Sequence, residues 1–597
     1  MVFDLKGFEL TGFRNLGDAF TVCADLDPEK PALTVFRGTG AAVPETLSYR
    51  ELARRAGLRA AELAARLPVG ERVVIALPTC VEFVELYLGC LLAGLVAVPA
   101  PPPVSTKTAA ERVAAIAADC SPGLILTTAD DREILAERLR TQGLALTVEQ
   151  VERVGDAEQP PALPAGRQVD GDALAVLQYS SGSTGRPKGV MLDHRNVQVN
   201  VAGFNASAGL GAEDVFATWM PMHHDFGLFI QLSCALFAGA HAILMPPTVF
   251  ARRPVQWFHM LHQFRVTATS APNFAYDLSL RLISDEQLEG LDLSTLRFVS
   301  NGSEPIHAPT VDAFVERFAR IGLRPETHTP AYGMAEVTVY VSSTPTGQRH
   351  NVLLADPVRL ADPDRPELVV AADGGGRPIV GCGRVRMFDL RIVDPRTRQD
   401  LPAGAIGEIW LRGESVARGY WNKPELNAEI FRARLAEDGA DGPGWLRTGD
   451  LGALVDGELF VIGRLKEMMI VRGRNLYPQD LEQEARSAHP SLARFVGAAF
   501  AVDAPDERIV LVHEVAPGIP AEELPAVTEA VARRITAAFG APARNIVLVR
   551  RGQVNRTTSG KIQRGTMRQR FLAGRIDAVH AELEPEVRRL MATTDAR

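Results

Sequence analysis

Cysteine is scarce: six residues in 597, at Cys23, Cys80, Cys90, Cys120, Cys234 and Cys382, with no C-x-x-C pair and no neighbouring histidine pair. That spacing excludes a disulfide framework and a structural zinc site, and it fits a reducing, cytoplasmic setting. Long apolar runs are missing as well. The most apolar window, Leu86 to Val98, is too short to cross a bilayer and follows Glu82 and Glu85, so it reads as a buried helix. Asp4, Lys6 and Glu9 interrupt the start, so no secretory signal is expected and no stable membrane insertion. Excess positive charge is absent too: 64 basic against 72 acidic residues leave a formal −8, which argues against a nucleic-acid partner. No solenoid-type repeat is found. Such a length exceeds one hydrophobic core, so at least two domains are expected, and three or four suit it better.

Against these absences stands one dense stretch, Ser180-Ser181-Gly182-Ser183-Thr184-Gly185-Arg186-Pro187-Lys188-Gly189. Glycines expose backbone N–H groups to an anion, hydroxyls add donors, and Arg186 and Lys188 add charge. The apolar run Ala173–Tyr179 before it and Val190–Leu192 after it read as strands. Pro187 stands where a Walker A loop needs glycine, so the loop suits a triphosphate binder of another kind; a solvated hairpin loop is the plain alternative.

Alternation of helix and strand marks the first 340 residues. Ser48 and Glu51 form a possible capping box before an amphipathic Leu52–Leu67 helix, Arg72–Leu77 reads as a buried strand, and Val81–Val96 reads as a helix stopped by Pro99–Pro103. The pattern predicts an α/β fold on largely parallel sheets. From about 345 to 380 helical periodicity is lost and Gly374–Gly376 interrupts. Beyond it Val380–Val393 and Gly407–Arg412 read as strands of a small β-rich unit. Residues 464–597 hold 21 basic and 16 acidic residues, net +5, leaving −13 for the remainder, and 530–576 contains no acid at all. A solvated basic face accounts for that charge as well as a functional one does.

Five further segments put polar groups into apolar surroundings: Ser300-Asn301-Gly302-Ser303-Glu304-Pro305, Ala331-Tyr332-Gly333-Met334-Ala335-Glu336, Trp445–Asp450, Gly463-Arg464-Leu465-Lys466-Glu467 and Thr557–Lys561. Each alone is a weak signal, since strand ends and turns are polar everywhere. Their order, together with the Ser/Gly-rich loop, resembles the adenylate-forming superfamily over essentially the whole chain. Val98–Pro103, Trp219–Leu228 and Asn301–Pro305 resemble most its fatty acyl-AMP ligase branch. Ser180 stands where that family commonly has threonine and His223 where it commonly has tyrosine, departures that bear on acyl preference rather than on adenylation.

The resemblance implies a fold and a chemistry. The expected architecture is a large N-terminal domain (1–463) of two stacked α/β subdomains and a small β-rich one, with a branch-specific insertion near 345–380. A hinge at 464–466, pivoting on Lys466, would join it to a small mobile α+β domain, 467–597, and no carrier domain is expected after 575. The implied enzyme is a stand-alone, long-chain fatty acid–AMP ligase using ATP and Mg²⁺. It would load a phosphopantetheinylated acyl carrier protein. Ser181, Gly182, Ser183, Thr184, Gly185 and Lys188 would hold phosphates; Gly302, Ser303, Glu304, Ala331, Tyr332, Gly333 and Met334 would surround adenine. Asp450 would bind the ribose, with Arg464 supporting ribose or phosphate. Thr184 and Glu336 would hold the metal, and Lys561 would approach the carboxylate and α-phosphate.

His224 would flank the acyl carboxylate or gate access, although a hydrogen-bonded buried histidine explains it as well. Phe229, Ile230, Phe274 and Met334 would line the acyl pocket, and ordinary core packing accounts for each equally. Asp225 does not discriminate, because amino-acid-activating relatives also place an aspartate there. An acyl-CoA ligase and a non-catalytic acyl- or adenylate-binding module are the competing readings. The second is disfavoured by the joint presence of Lys561, Glu336, Asp450 and Arg464.

Overall fold

The computed structural model describes residues 10–36, 43–103, 107–155, 159–180, 187–372, 376–439, 442, 444–504, 506–557 and 560–592. Two large mixed sheets carry the first 345 residues. One has six strands in the order Val148–Gln150, Leu124–Thr127, Arg72–Ala76, Val96–Pro99, Leu174–Ser180 and Lys188–Asp193. All its pairings are parallel except the last, where the strands flanking the Ser/Gly-rich loop form an antiparallel pair. The other has eight strands, six of them parallel from Pro31–Val35 through His328–Tyr332, with antiparallel strands Glu45–Ser48 and Ser342–Ser343 at its edges. Valine- and isoleucine-rich runs such as Arg72–Ala76 are buried on both faces, as strands covered by helices on each side must be.

The expected helices and strands are present with shifted ends. Helix Tyr49–Ala64 starts at Ser48, whose hydroxyl accepts from the Glu51 N–H at 3.3 Å. Helix Val81–Leu92 is four residues shorter than its apolar pattern suggests, because Val96–Pro99 pairs as a strand. The 345–380 region is more ordered than its composition predicts. Val352–Ala355 and Arg377–Val380 pair antiparallel, and Pro357–Leu360 is a short helix whose first N–H groups are capped by the Asp356 carboxylate. The Val380–Val393 stretch is two strands in different sheets: Arg377–Val380 belongs to that pair, and Asp389–Val393 joins Gly407–Arg412, Leu446–Val455 and Glu458–Arg464 in an antiparallel sheet.

Residues beyond 466 build their own four-stranded sheet (Gly497–Asp503, Glu507–Glu514, Asn545–Val549, Ala578–Glu582), backed by helices Pro478–Arg486, Leu524–Phe539 and Arg564–Leu572. Apolar clusters cover both faces of that sheet, one around Leu481, Val531 and Leu548 and the other around Phe500, Val547 and Phe571. The unit meets the rest of the chain through an apolar cluster in which Tyr477 and Met468 join Ile379, Phe460 and Ile462, and through several polar contacts. Arg486 pairs with Asp277 at 2.7 Å, the Arg281 guanidinium donates to the Arg494 carbonyl at 2.8 Å, and Arg377 pairs with Asp480 at 2.8 Å. Among the described residues no helix is long and apolar enough to cross a membrane.

Candidate active site

Parallel strands deliver most of the candidate residues. Phe298–Asn301 and His328–Tyr332 are neighbours in one sheet, and polar loops leave their carboxyl-terminal ends, the edge at which α/β sheets gather ligand groups. The first loop carries Gly302, Ser303 and Glu304; the second carries Gly333, Met334 and, in a short 3-10 turn, Glu336. These backbones pass so closely that side chains are excluded. A Cβ on Gly302 would meet the Ala331 carbonyl at 2.9 Å, and one on Gly333 would meet the Val339 carbonyl at 1.7 Å. Ser303 adopts φ +74°, a left-handed conformation uncommon for a residue with a side chain.

Asp450 anchors one side of the cleft. It lies opposite Arg464 in the antiparallel register, and its two carboxylate oxygens accept from the Tyr332 hydroxyl at 2.9 Å and the Arg464 guanidinium at 3.1 Å. Asp450 thereby holds the Arg464 pKa above its ordinary value, and burial, then Asp450, pushes the Tyr332 phenol well above its own. The phenol stays protonated and its hydroxyl is held by Asp450.

Lys561 enters from the C-terminal unit. A turn closed by Thr557 N–H to the Lys561 carbonyl (2.8 Å) and by the Lys561 N–H to the Thr557 hydroxyl (3.0 Å) presents it. Gly560 makes that turn possible: its φ is +89°, and a Cβ there would lie 2.5 Å from the Phe274 ring. Burial lowers the Lys561 pKa, opposed by the nearby carboxylates of Asp225, Glu304 and Asp450, while Arg464 pushes it down further. Asp225 and Glu304 are in turn raised by burial and pulled back by Lys561 and by backbone N–H groups; the Phe274 N–H donates to Glu304 at 2.6 Å. One cation therefore stands among three carboxylates from three separate segments. Such a group can stabilise negative charge developing on a bound substrate.

His224 is neutral: burial, then His223, Arg112 and Lys561, drives its pKa well below the usual histidine value. His223 beside it, with ring centroids 4.6 Å apart, is pushed down to about 3 by burial and Arg112. Asp225 caps the segment Phe226–Ser233, which winds as a π-helix, and π-turns recur at functional sites. Phe229 and Ile230 on it are fully buried, whereas Phe274 and Met334 are half-buried. Phe274 meets Trp219 edge to face, and Trp219 stacks flat on Phe250 at 3.9 Å. The four candidate pocket residues thus divide into two fully buried core positions and two partly buried ones packed against that core.

Ser181 to Gly185, including Thr184, lie outside the described residues. Lys188, just past them, is half-buried with its ammonium 5.0 Å from the centroid of the Tyr420 ring. Burial lowers its pKa, as does Lys466, which is therefore close; Glu336 opposes the shift. The Glu336 carboxylate accepts from the Tyr420 hydroxyl at 2.7 Å through one oxygen, and its other oxygen has no partner among the described residues. A carboxylate with one oxygen left unengaged suits Mg²⁺, which takes few protein ligands and completes its shell with other oxygens such as those of phosphate and water. Sequence reasoning missed Tyr420. Its signal was the aromatic pair Tyr420-Trp421 after a glycine, and nothing in that pattern names a carboxylate 84 positions away.

Residues 20–421 match the model of the AMP-binding enzyme family, and the chain belongs to that family. Its relatives narrow the class. It is 37% identical over 554 residues, 90% of this chain and 92% of the relative, to the medium-chain-fatty-acid–[acyl-carrier-protein] ligase JamA of Moorena producens. It is 34% identical over 568 residues, 92% and 96% of the two chains, to a putative fatty-acid–CoA ligase, FadD21, of Mycobacterium tuberculosis. A solved structure from work on the fatty acyl-adenylate ligases of E. coli and L. pneumophila superposes with a TM-score of 0.82 at 29% identity, covering 94% of this chain and 98% of that one.

Proposed function

We propose that the chain activates a fatty acid as its acyl-adenylate and passes the acyl group to the phosphopantetheine thiol of a carrier protein. The observation that carries the first half is Lys561, brought from the C-terminal unit into a cleft walled by Asp225, Glu304 and Asp450. A carboxylate is a poor electrophile. Its oxygen attacks the α-phosphorus of ATP, the bond from that phosphorus to the bridging oxygen breaks, and pyrophosphate leaves with the electron pair. No protein nucleophile is required, so the protein positions the reactants and neutralises charge. Lys561 meets the charge growing on the α-phosphoryl oxygens. Asp450, fixed by Tyr332 and Arg464, is a rigid acceptor for the ribose hydroxyls, and the Gly302–Glu304 and Ala331–Met334 segments line the adenine position.

Glu336 and Thr184 would hold Mg²⁺, which supplies charge neutralisation on the leaving phosphates. Phe274 and Met334 would border the acyl chain, with Phe229 and Ile230 supporting from the core. His224, neutral and buried, would hydrogen-bond at the carboxylate end rather than pair with it as a cation.

In the second step the carrier thiol loses its proton and its sulfur attacks the acyl carbonyl, expelling AMP. The reading assigns residues 1–463 to a large domain, 464–466 to a hinge on Lys466 and 467–597 to a small domain that swings between the two half-reactions. Carrier-protein rather than CoA transfer is favoured by the 345–380 strap. Its Arg377 pairs with Asp480 and lies over the Tyr477 ring at 5.1 Å, and its Ala361 and Asp362 carbonyls accept from Asn475 at 2.9 and 3.0 Å. These bonds tie the small unit in its present orientation. The name of the JamA relative supports the same acceptor, and that of the FadD21 relative supports CoA. Incubation with ATP, fatty acids from medium to long chain and either CoA or a holo-carrier protein decides, read by mass spectrometry. Acyl-carrier product is expected, and efficient acyl-CoA formation would overturn the acceptor.

A further inference from the structure

Tyr420 touches both a cation, Lys188, and a carboxylate, Glu336, that form no ion pair with each other. The segment around it is laced to the strand after the Ser/Gly-rich loop: the Met191 N–H donates to the Gly419 carbonyl at 2.9 Å, and the Trp421 N–H to the Gly189 carbonyl at 2.8 Å. Asn427 grips Tyr420 itself from both sides, accepting from its N–H at 2.6 Å and donating to its carbonyl at 2.9 Å. Phe431 backs the ring edge to face at 5.0 Å. Three residues on, Lys423 pairs at 2.7 Å with Asp119, which also accepts from the Tyr179 hydroxyl at 2.7 Å on the strand leading into the loop. The ring is thus fixed from behind, with its face toward Lys188 and its hydroxyl toward Glu336.

We propose that Tyr420 is a positioning residue that sets Lys188 and Glu336 apart, so that the ammonium serves phosphate and the carboxylate serves the accompanying Mg²⁺. The assignment rests on the adenylation reading above. A direct Lys188–Glu336 ion pair would occupy both groups. With the ring beside it, the lysine is held by the aromatic face, which leaves its N–H groups for anions. The carboxylate spends one oxygen on the phenol, a charge-assisted bond that sets its plane, and keeps the other oxygen for a cation.

Calorimetric binding of a non-hydrolysable ATP analogue, with and without Mg²⁺, tests this apart from turnover. Tyr420→Phe keeps the ring and loses the hydroxyl. It is expected to weaken binding about tenfold with Mg²⁺ and under about twofold without it. Tyr420→Leu is expected to weaken both, because Lys188 loses its seat. The double variant with Glu336→Gln is expected to bind no more weakly than Glu336→Gln alone. Wild-type affinity of Tyr420→Phe with Mg²⁺, equal losses in both conditions, or additive losses with Glu336→Gln would each overturn the assignment. Should Tyr420→Phe fail to fold, Lys188→Met carries the test, and unchanged Mg²⁺-free binding would overturn it. A wild-type protein that binds no nucleotide removes the adenylation reading itself; binding with an unaffected Tyr420→Phe removes only this assignment.

Discussion

Replacing Lys561 with alanine separates the two half-reactions. The lysine is half-buried and surrounded by Asp225, Glu304 and Asp450, so water screens it only in part. A unit charge about 4 Å from a developing phosphoryl charge, at an effective dielectric near 20, contributes about 4 kcal/mol. If that interaction is made chiefly in the transition state, its loss lowers adenylate formation by roughly 10³-fold. Pyrophosphate exchange and single-turnover formation of acyl-AMP read that step. Transfer from supplied acyl-AMP to a holo-carrier reads the other, and a loss below about tenfold is expected there. The variant also leaves Asp225 and Glu304 without this cation, while Asp450 keeps Arg464, and melting curves report whether the fold tolerates it. A well-folded Lys561→Ala protein that forms adenylate within tenfold of wild type refutes the role. So does equal loss in both steps.

The same lysine predicts a pH dependence. Burial lowers its pKa below the ordinary value of 10.5, so the ammonium to which catalysis is assigned is complete below the lowered value and disappears as pH rises through it. The alkaline limb of adenylation is expected below that of an ordinary lysine, and Lys561→Arg should abolish that limb whatever its activity. Gly560→Ala forces a side chain into φ +89° and against the Phe274 ring, and adenylation should fall at least about tenfold with melting temperature little changed. Asp450→Asn removes the charge partner of Arg464, and the apparent KM for ATP should rise about tenfold with kcat less affected. Arg377→Ala cuts the strap from Asp480. CoA acceptance should increase, and the Asp480 pKa, already raised to about 6 by burial against the pull of Arg377, should climb further by NMR titration. Because folding raises the Asp480 pKa, its protonation favours the folded state: that contribution is fully present below about pH 3.8 and is lost as pH rises through about 6.

What the chain announces locally differs from what only three dimensions supply. Gly302, Gly333 and Gly560 could be read in advance, because close backbone approach and a left-handed turn leave glycine as the residue that fits, and each occupies such a place. The α/β alternation was likewise legible, since strands buried on both faces are written as runs like Val73-Val74-Ile75. Two kinds of information were not. Order in the 345–380 strap comes from pairing Val352–Ala355 with Arg377–Val380 across more than twenty intervening residues, and a four-residue run such as Val352-Leu353-Leu354-Ala355 is too short to announce its partner. Side-chain partnerships across sequence distance were equally silent: Asp450 announces an acid, but not that the Tyr332 hydroxyl bonds it, and Glu336 announces another, but not that the Tyr420 hydroxyl bonds it. Motifs name the groups that meet a substrate, because that chemistry restricts residue type. The residues that hold those groups need only fill a geometry, which tyrosine, asparagine or arginine can do from any element that passes near. An adenylating site is therefore half visible in a sequence, and variants chosen from its motifs alone would leave Tyr420 and Arg377 untested.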